Sequence, residues 1–468
     1  MTVPTFAVLG HPNEGKSSVV STLTENERVR VSRTPGETTR CHRYSIELDG
    51  APALEIVDTP GFQNPASTLA WLQQWDGPEE EMVDAFVQAH RDDPAYHHDL
   101  ELLEPLRQRA GILYVADASR PLREADKQEM ELLRLTGLPR LALLNCKRDT
   151  RDHATAWREA LNRRFNLIRD FNAHRATFRE RMDLLEAMAL LNPEQEESLR
   201  RVRDQLLAEW DARLHQSALV LEELLQRVLH HKVRARFKPD EPEAKQKHQI
   251  EDHYRNDLSR FEATARAEWR KLFHHESLPG DAETNEVLTE DLFAEKVWRL
   301  LGLSRGQLAG AGFTAGAALG AGADIAAGGI TFGVFAAGGA LLGGIGGWVG
   351  APKLGAKKLP FPGNRTLANE QLTLGPVRDP QLIFILLDRS LLYLTRLMNW
   401  AHARRDHDAF LAGLSPDAGL VRSWKDSERR IVKRWVSAVT QYGALAPEEA
   451  STRLQHLLYE KLKSGSET

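Results

Sequence analysis

Cysteine is almost absent: Cys41 and Cys146 are the two in a chain of 468 residues. Two thiols make neither a disulfide framework nor a four-cysteine zinc site, so a reducing compartment, the cytoplasm, is expected. An excess of positive charge is also missing. With 61 Lys and Arg against 66 Asp and Glu, the formal net charge is −5, and no nucleic-acid partner is expected. No basic segment followed by an apolar one opens the chain, so no cleaved secretion signal is expected. No internal repeat of fixed period occurs. What is present looks globular: 42% hydrophobic and 27% charged residues exclude wholesale disorder. The length suggests about three domains. Glycine is the exception, with 17 of 33 falling between Gly306 and Gly355.

Residues 1–190 alternate short apolar runs with helical patterns. Strands are predicted at 6–9, 44–48, 54–57, 112–116 and 141–144, and a helix from Lys16. Such alternation predicts an α/β fold, a mostly parallel sheet with helices on both faces. Residues 64–109 are too long for a simple loop and are expected to be a helical insertion. Residues 191–305 form a long-helix region. There Leu199, Val202, Leu206, Trp210, Leu214, Leu221, Leu224 and Val228 keep one face, and Asn192 is its expected N-cap. A Gly/Ala-rich segment at 306–356 follows. A C-terminal helical region, 357–468, opens with a hairpin-like stretch near 367–374 and an apolar helix near 380–405.

The sharpest local pattern is GHPNEGKS at residues 10–17, between a predicted strand and a predicted helix. It fits G-x-x-x-x-G-K-[ST], a loop whose backbone N–H groups cradle phosphates at a helix N-terminus. Gly10, Asn13, Glu14, Gly15, Lys16, Ser17 and Ser18 are the expected phosphate-binding set, with Lys16 reaching the β- and γ-phosphates and Ser17 ligating Mg²⁺. Asp58, at a strand end in DTPG, is expected to hold Mg²⁺ through water, and the Gly61 amide to sense the γ-phosphate. Thr38 and Thr39 precede it in TPGETTR, where a threonine hydroxyl joins Mg²⁺ in an order–disorder switch; Thr39 is the expected ligand.

These motifs resemble the P-loop GTPases of the Era/TrmE-like kind, over about 190 residues. GHPNEGKSS resembles that group's G-x-P-N-x-G-K-S, TPGETTR its first switch, and DTPG its second. The four-part layout also resembles a bacterial family that joins such a domain to a C-terminal region of unknown function with a Gly-rich segment. The resemblance implies GTP and GDP as ligands, Mg²⁺ as cofactor, and a K⁺ held beside the phosphates by Asn13. Phe62 stands where Ras-like proteins carry a water-orienting glutamine, which implies slow hydrolysis without a cation or partner. Guanine recognition by N-K-x-D is altered. Asn145 and Lys147 are in place, but Arg148 takes the aspartate position and Asp149 follows one residue late. Either the loop bulges and Asp149 still serves, or guanine selectivity is weakened. Asn172 and Ala173 stand where the family has its last base-contacting loop.

In the Gly/Ala-rich segment, residues 306–323 and 325–352 carry no charge, and Asp324 separates them. Two readings stand. One is a membrane-inserted hairpin, with Lys353, Lys357 and Lys358 on the entry side. The other is a buried helical hairpin within a soluble protein. The expected function is a GTP-hydrolysing switch coupled to a membrane-associated helical region, at the cytoplasmic side of the inner membrane, as a homo-oligomer or with a membrane partner. A soluble, nucleotide-stabilised assembly protein and an ATP-using remodeller are the alternatives. The pairs His97–His98, His230–His231 and His274–His275 are expected to be surface histidines. The basic run 231–238 is expected to be a solvated helix end, and residues 400–405 the end of a core helix.

Overall fold

The computed structural model describes residues 3–29, 40–145, 152–236, 240–275, 371–376, 380–404, 419–442 and 446–466, and singly 238, 278, 292, 297, 301, 303 and 307. Six strands make the main sheet: β1 (Thr5–Leu9), β2 (His42–Leu48), β3 (Ala51–Asp58), β4 (Gly111–Asp117), β5 (Arg140–Asn145) and β6 (Leu167–Asp170). Their order is β2-β3-β1-β4-β5-β6. All neighbours run parallel except β2, which pairs antiparallel with β3. Asp49 and Gly50 turn the β2–β3 hairpin at φ 51° and 78°, the double positive φ of a tight two-residue connection.

Side-chain alternation along the buried strands divides the core in two. Ala7, Leu9, Ile112, Tyr114, Ala142 and Leu144 face one side. There they pack against α2 (Pro65–Leu72), α3 (Met82–Ala89), α4 (His97–Arg107), α5 (Glu124–Leu135) and α6 (Ala154–Asn162). The first three of these helices lie in the long segment between β3 and β4. Phe6, Val8, Leu113, Val115, Leu141 and Leu143 face the other side, covered by α1 (Lys16–Leu23) and α7 (Phe178–Leu191). A capping box starts α7: Thr177 Oγ1 accepts from the Glu180 amide, and the Glu180 carboxylate accepts from the Thr177 amide.

That second face does not end at α7. The same apolar cluster continues into α8 (Glu196–His230), α9 (Glu243–Leu272), α10 (Pro380–Met398), α11 (Asp426–Tyr442) and α12 (Glu448–Ser466). Phe178 stacks on Trp210 at 4.2 Å, and Trp210 meets Phe273 edge-on at 5.2 Å. Each such ring contributes on the order of 1.5–3 kcal/mol by burial. The apolar face of α8 is as expected: Leu199, Val202, Trp210, Leu214, Leu221, Leu224 and Val228 are buried, and Leu206 is partly so. Deep in this region Glu262 is held by Arg266 and Arg389, each at 2.8 Å.

Several sequence expectations need correction. Asn192 caps the C-terminus of α7, and α8 starts after Gln195, because residues 192–195 close a turn of their own (Gln195 N to Asn192 O, 3.0 Å). Of the hairpin-like stretch near 367–374, residues 367–370 lie outside the described residues. Within it β8 (Gln371–Leu374) pairs antiparallel with β7 (Val233–Arg236), so residues 233–236 of the basic run are a strand rather than a helix end. The apolar helix α10 ends at Met398. Trp400, Ala401, His402 and Ala403 are buried beyond it, and the Ala403 amide donates to Thr22 Oγ1 in α1 at 3.3 Å. His275 is buried too, not on the surface. No helix among the described residues is long and apolar enough to cross a membrane; of the segment 306–356 all but Gln307 lies outside them.

Candidate nucleotide site

The parallel strands present their C-terminal ends together, and the loop after β1 curls over that edge. β3 and β4 flank β1 on opposite sides, a point where open α/β sheets bind ligands. Gly10 has φ 139°, and a Cβ there would sit 2.4 Å from the Val115 carbonyl oxygen. Asn13 and Gly15 are also left-handed, at φ 67° and 101°, so the loop reaches the N-terminus of α1 as a nest of amides. Lys16 is buried, and its Nζ donates to the carbonyls of Gly10 (2.9 Å) and His11 (3.0 Å). Ser18 is buried in the first turn of α1.

Ser17 Oγ donates to Asp58 Oδ2 at 2.7 Å. Asp58 is 3% exposed, and its other oxygen, Oδ1, is buried without a hydrogen-bond partner. Burial raises the carboxyl above the usual range, opposed by the Ser17 bond and the Lys16 charge. A hydroxyl and a half-used buried carboxylate, next to a lysine, fit a Mg²⁺ with water in its shell. Thr59 Oγ1 ties this strand end to Val8 O at 2.7 Å. Gly61 lies against Pro12 so closely that a Cβ would come within 2.6 Å of that ring. Phe62 is buried in the core on the α2–α6 side.

Asn145, at the end of β5, donates from Nδ2 to Glu14 O at 2.9 Å, and its Oδ1 is buried without a partner. The Asn172 side chain accepts from the His174 amide, and Ala173 O accepts from Thr22 Oγ1 at 2.8 Å. Thr39, Lys147 and Asp149, together with Thr38 and Arg148, lie outside the described residues. The structure thus gathers Gly10, Asn13, Glu14, Gly15, Lys16, Ser17, Ser18, Asp58, Gly61 and Asn145 along one sheet edge.

A brace unforeseen from sequence holds the loop from behind. Glu14 accepts from the Asp117 amide (2.5 Å) and pairs with Arg120 (2.6 Å), which also grips Asp126. Arg120 lies over Trp157 at 5.1 Å. His11 bonds to Glu129 at 2.8 Å, and Tyr114 donates to the other Glu129 oxygen at 3.0 Å. His11, Asp126 and Glu129 bring three ligand atoms within 4.8 Å, but Arg120, His11 and Tyr114 already satisfy the two carboxylates. The available signal was an acid and an arginine just past the end of the strand at 111–117.

This arrangement defines a P-loop GTPase domain that binds guanine nucleotide. Residues 5–146 match the model of the family described as "50S ribosome-binding GTPase". The chain as a whole belongs to the family described as "Domain of unknown function (DUF3482)", whose model matches residues 158–464. Among curated relatives, the chain is similar to the "Probable GTP-binding protein EngB" of Burkholderia thailandensis, 27% identical over 169 residues, 36% of this chain and 68% of the relative. It is 33% identical over 139 residues to the protein of that name from Xylella fastidiosa, 30% of this chain and 57% of the relative. Among solved structures, Era in complex with MgGDPNP and a segment of 16S ribosomal RNA is 15% identical, covering 58% of this chain and 90% of that one, with a TM-score of 0.28.

Proposed function

We propose that the protein is a GTP-hydrolysing switch whose helical region takes up the nucleotide state through the C-terminal end of α1. The observation that carries the reading is the Ser17–Asp58 bond with the unpartnered Asp58 Oδ1 beside Lys16. The loop amides and Lys16 bind and orient the triphosphate, and Ser17 and Asp58, joined by Thr39, hold Mg²⁺. A Mg²⁺ bound there supplies neutralisation of phosphate charge. Asn13 is the proposed K⁺ ligand. Asn145, Lys147, Asp149, Asn172 and Ala173 form the proposed base-binding group. Phe62 lies in the core and orients no water, so turnover is slow until K⁺ or a partner supplies the missing alignment.

The route to the helical region starts where α1 ends. Glu25 accepts from Arg181 of α7 (2.5 Å), Arg213 of α8 (2.8 Å) and His274 after α9 (3.0 Å). Glu27 bonds to His275 at 3.0 Å, and His275 stacks on His402 at 4.1 Å. Thr22 joins Ala173 on one side and Ala403 on the other. The end of α1, ahead of TPGETTR, the proposed first switch at 34–40, is thereby tied to groups fixed in three helical elements. At the far end the switch acts at a membrane through residues 306–352, as a homo-oligomer or with a membrane partner.

The test is turnover of GTP by the full-length protein, with and without K⁺ and liposomes. Lys16→Ala should lose nucleotide binding, or turnover by at least about a hundredfold, consistent with removal of a preorganised charge on the phosphates. Unchanged hydrolysis in that variant would sink the assignment.

A further inference from the structure

A basic groove lies far along the chain from the nucleotide site, where α8 gives way to β7. The chain turns extended at His231 (φ −65°, ψ 131°). Val233 and Ala235 then face the core while Arg234 and Arg236 alternate to the exposed side. Between the end of α8, β7 and α9 opens a groove of about 590 Å³ lined by Arg227, His230, His231, Lys232, Arg234 and Phe261. Its nearby carboxylate, Asp257, is occupied by His231 (3.0 Å) and Arg260 (2.7 Å), with His253 at 3.9 Å. Among the described residues, Arg227, Lys232 and Arg234 have no acidic partner. His230 Nε2 is buried with no hydrogen-bond partner. A chain of net charge −5 thus concentrates unneutralised cations and a buried ring nitrogen in one concavity.

We propose that this groove docks on an anionic phospholipid surface and seats headgroup phosphates among Arg227, Lys232 and Arg234. The inference rests on the membrane reading above and gives it a place on the fold. Two observations favour lipid. First, β7 pairs with β8, Arg236 against Gln371, and β8 follows the uncharged stretches 306–323 and 325–352 and the run Lys353, Lys357 and Lys358, with only residues 359–370 between. A polybasic surface and an apolar segment carried by one chain are the two signals that together hold a protein on an acidic leaflet. Second, Phe261 has its ring covered by the Arg227 guanidinium at 4.4 Å and meets His231 edge-on at 5.0 Å. It leaves no open platform for stacking bases, which single-stranded nucleic-acid sites use.

Flotation of the full-length protein with phosphatidylcholine vesicles, and with vesicles containing one quarter phosphatidylglycerol, tests this. The wild type should bind the anionic vesicles more tightly, with salt weakening the binding. The double variant Lys232→Glu/Arg234→Glu should lose at least about tenfold on anionic vesicles. It should match wild type on neutral vesicles, in nucleotide affinity and in thermal melting. Lys232→Gln/Arg234→Gln, which adds no repulsion, should lose an intermediate amount and stands in if the reversal misfolds. If wild type floats with neutral vesicles and phosphatidylglycerol adds nothing, the groove falls and the membrane reading stands. If wild type binds neither vesicle, both fall. Two further results would overturn the proposal: displacement from anionic vesicles by millimolar inorganic phosphate at constant ionic strength, which marks a soluble-phosphate site, and variant-sensitive binding of a single-stranded RNA oligonucleotide with vesicle binding unchanged.

Discussion

Glu14 leads into α1 and Glu25 follows it; the first is buried, the second has a side chain 10% exposed, and both are gripped by arginine, yet they serve different halves of the molecule. Glu14 is tied to Arg120 and the Asp117 amide, and through Arg120 to Asp126. Every one of these groups belongs to the six-stranded sheet domain. Glu25 is tied to Arg181, Arg213 and His274, and so reaches across to α8 and the end of α9. Their environments differ in balance as well. Burial raises Glu14, and Arg120 offsets it only in part, so its carboxyl stays above the usual range. Burial also raises Glu25, but Arg181, His274 and Arg213 reverse it and hold the carboxyl well below that range. One short helix thus has its nucleotide end braced by a nearly balanced network and its far end clamped by excess positive charge. The first shapes the loop, and the second joins α1 to the helical region.

Removing the clamp should have the larger effect. Glu25→Ala leaves Arg181, at 7% exposure, without its counter-charge, and Arg213, at 12%, with Glu209 at 3.9 Å as its remaining acid. Loss of one partner of a buried ion pair costs on the order of 3–5 kcal/mol. Urea unfolding should show that loss, while nucleotide affinity of the folded variant changes less than about threefold. An unfolding midpoint equal to wild type would mean the clamp is incidental.

Removing the brace should reverse the pattern. Arg120→Ala frees Glu14 and Asp126 behind the phosphate loop, but Glu14 keeps the Asp117 amide and Asp126 the Arg123 amide as donors, so the stability loss is smaller, about 2 kcal/mol. The loop amides then lose their fixed geometry. Nucleotide affinity by titration calorimetry should fall roughly tenfold, the equivalent of about 1.4 kcal/mol. A variant with weaker stability and unchanged affinity would show that Arg120 supports the fold rather than the site.

The difference between the halves also explains what the sequence discloses. The loop at 10–17, Asp58 and Asn145 were legible because each sits at a fixed offset from a short apolar strand, and their chemistry depends on that local offset. The strand β6 was not legible: LIRD lies at the sheet edge, partly exposed, so no buried run marks it. Glu25, Arg181, Arg213 and His274 are ordinary one by one, and only the packing of α7, α8 and α9 on α1 brings them together. The histidine pairs show the same limit. Neighbours on a helix do point apart, but α9 ends before His274, whose φ of 57° sends its ring to Glu25 while His275 turns into the core toward Glu27. Residues 233–236 of the basic run are a strand because β8, more than a hundred residues later, supplies their hydrogen-bonding edge.

A buried acid without a cation clamp sharpens the contrast. Glu262 in α9 is held below the usual range by Arg266 and Arg389, which outweigh its burial. Asp388 in α10 is as deeply placed, but its Oδ1 accepts from the Val421 amide at 2.7 Å and its Oδ2 has no partner. Burial therefore dominates and raises its carboxyl to about 7. The folded state then binds this proton more tightly than the unfolded state, whose carboxyl stays near 3.8. The stabilisation is complete below that lower value and is lost as pH rises through about 7. Asp388→Asn keeps an acceptor for the Val421 amide and cannot ionise. Stability measured by urea unfolding from pH 5 to 8 should decline less steeply in the variant, by up to about 1.4 kcal/mol per pH unit over that window. Identical slopes would show that Asp388 ionises in the fold as freely as in water, and that amides alone hold its charge as well as arginines hold those of Glu25 and Glu262.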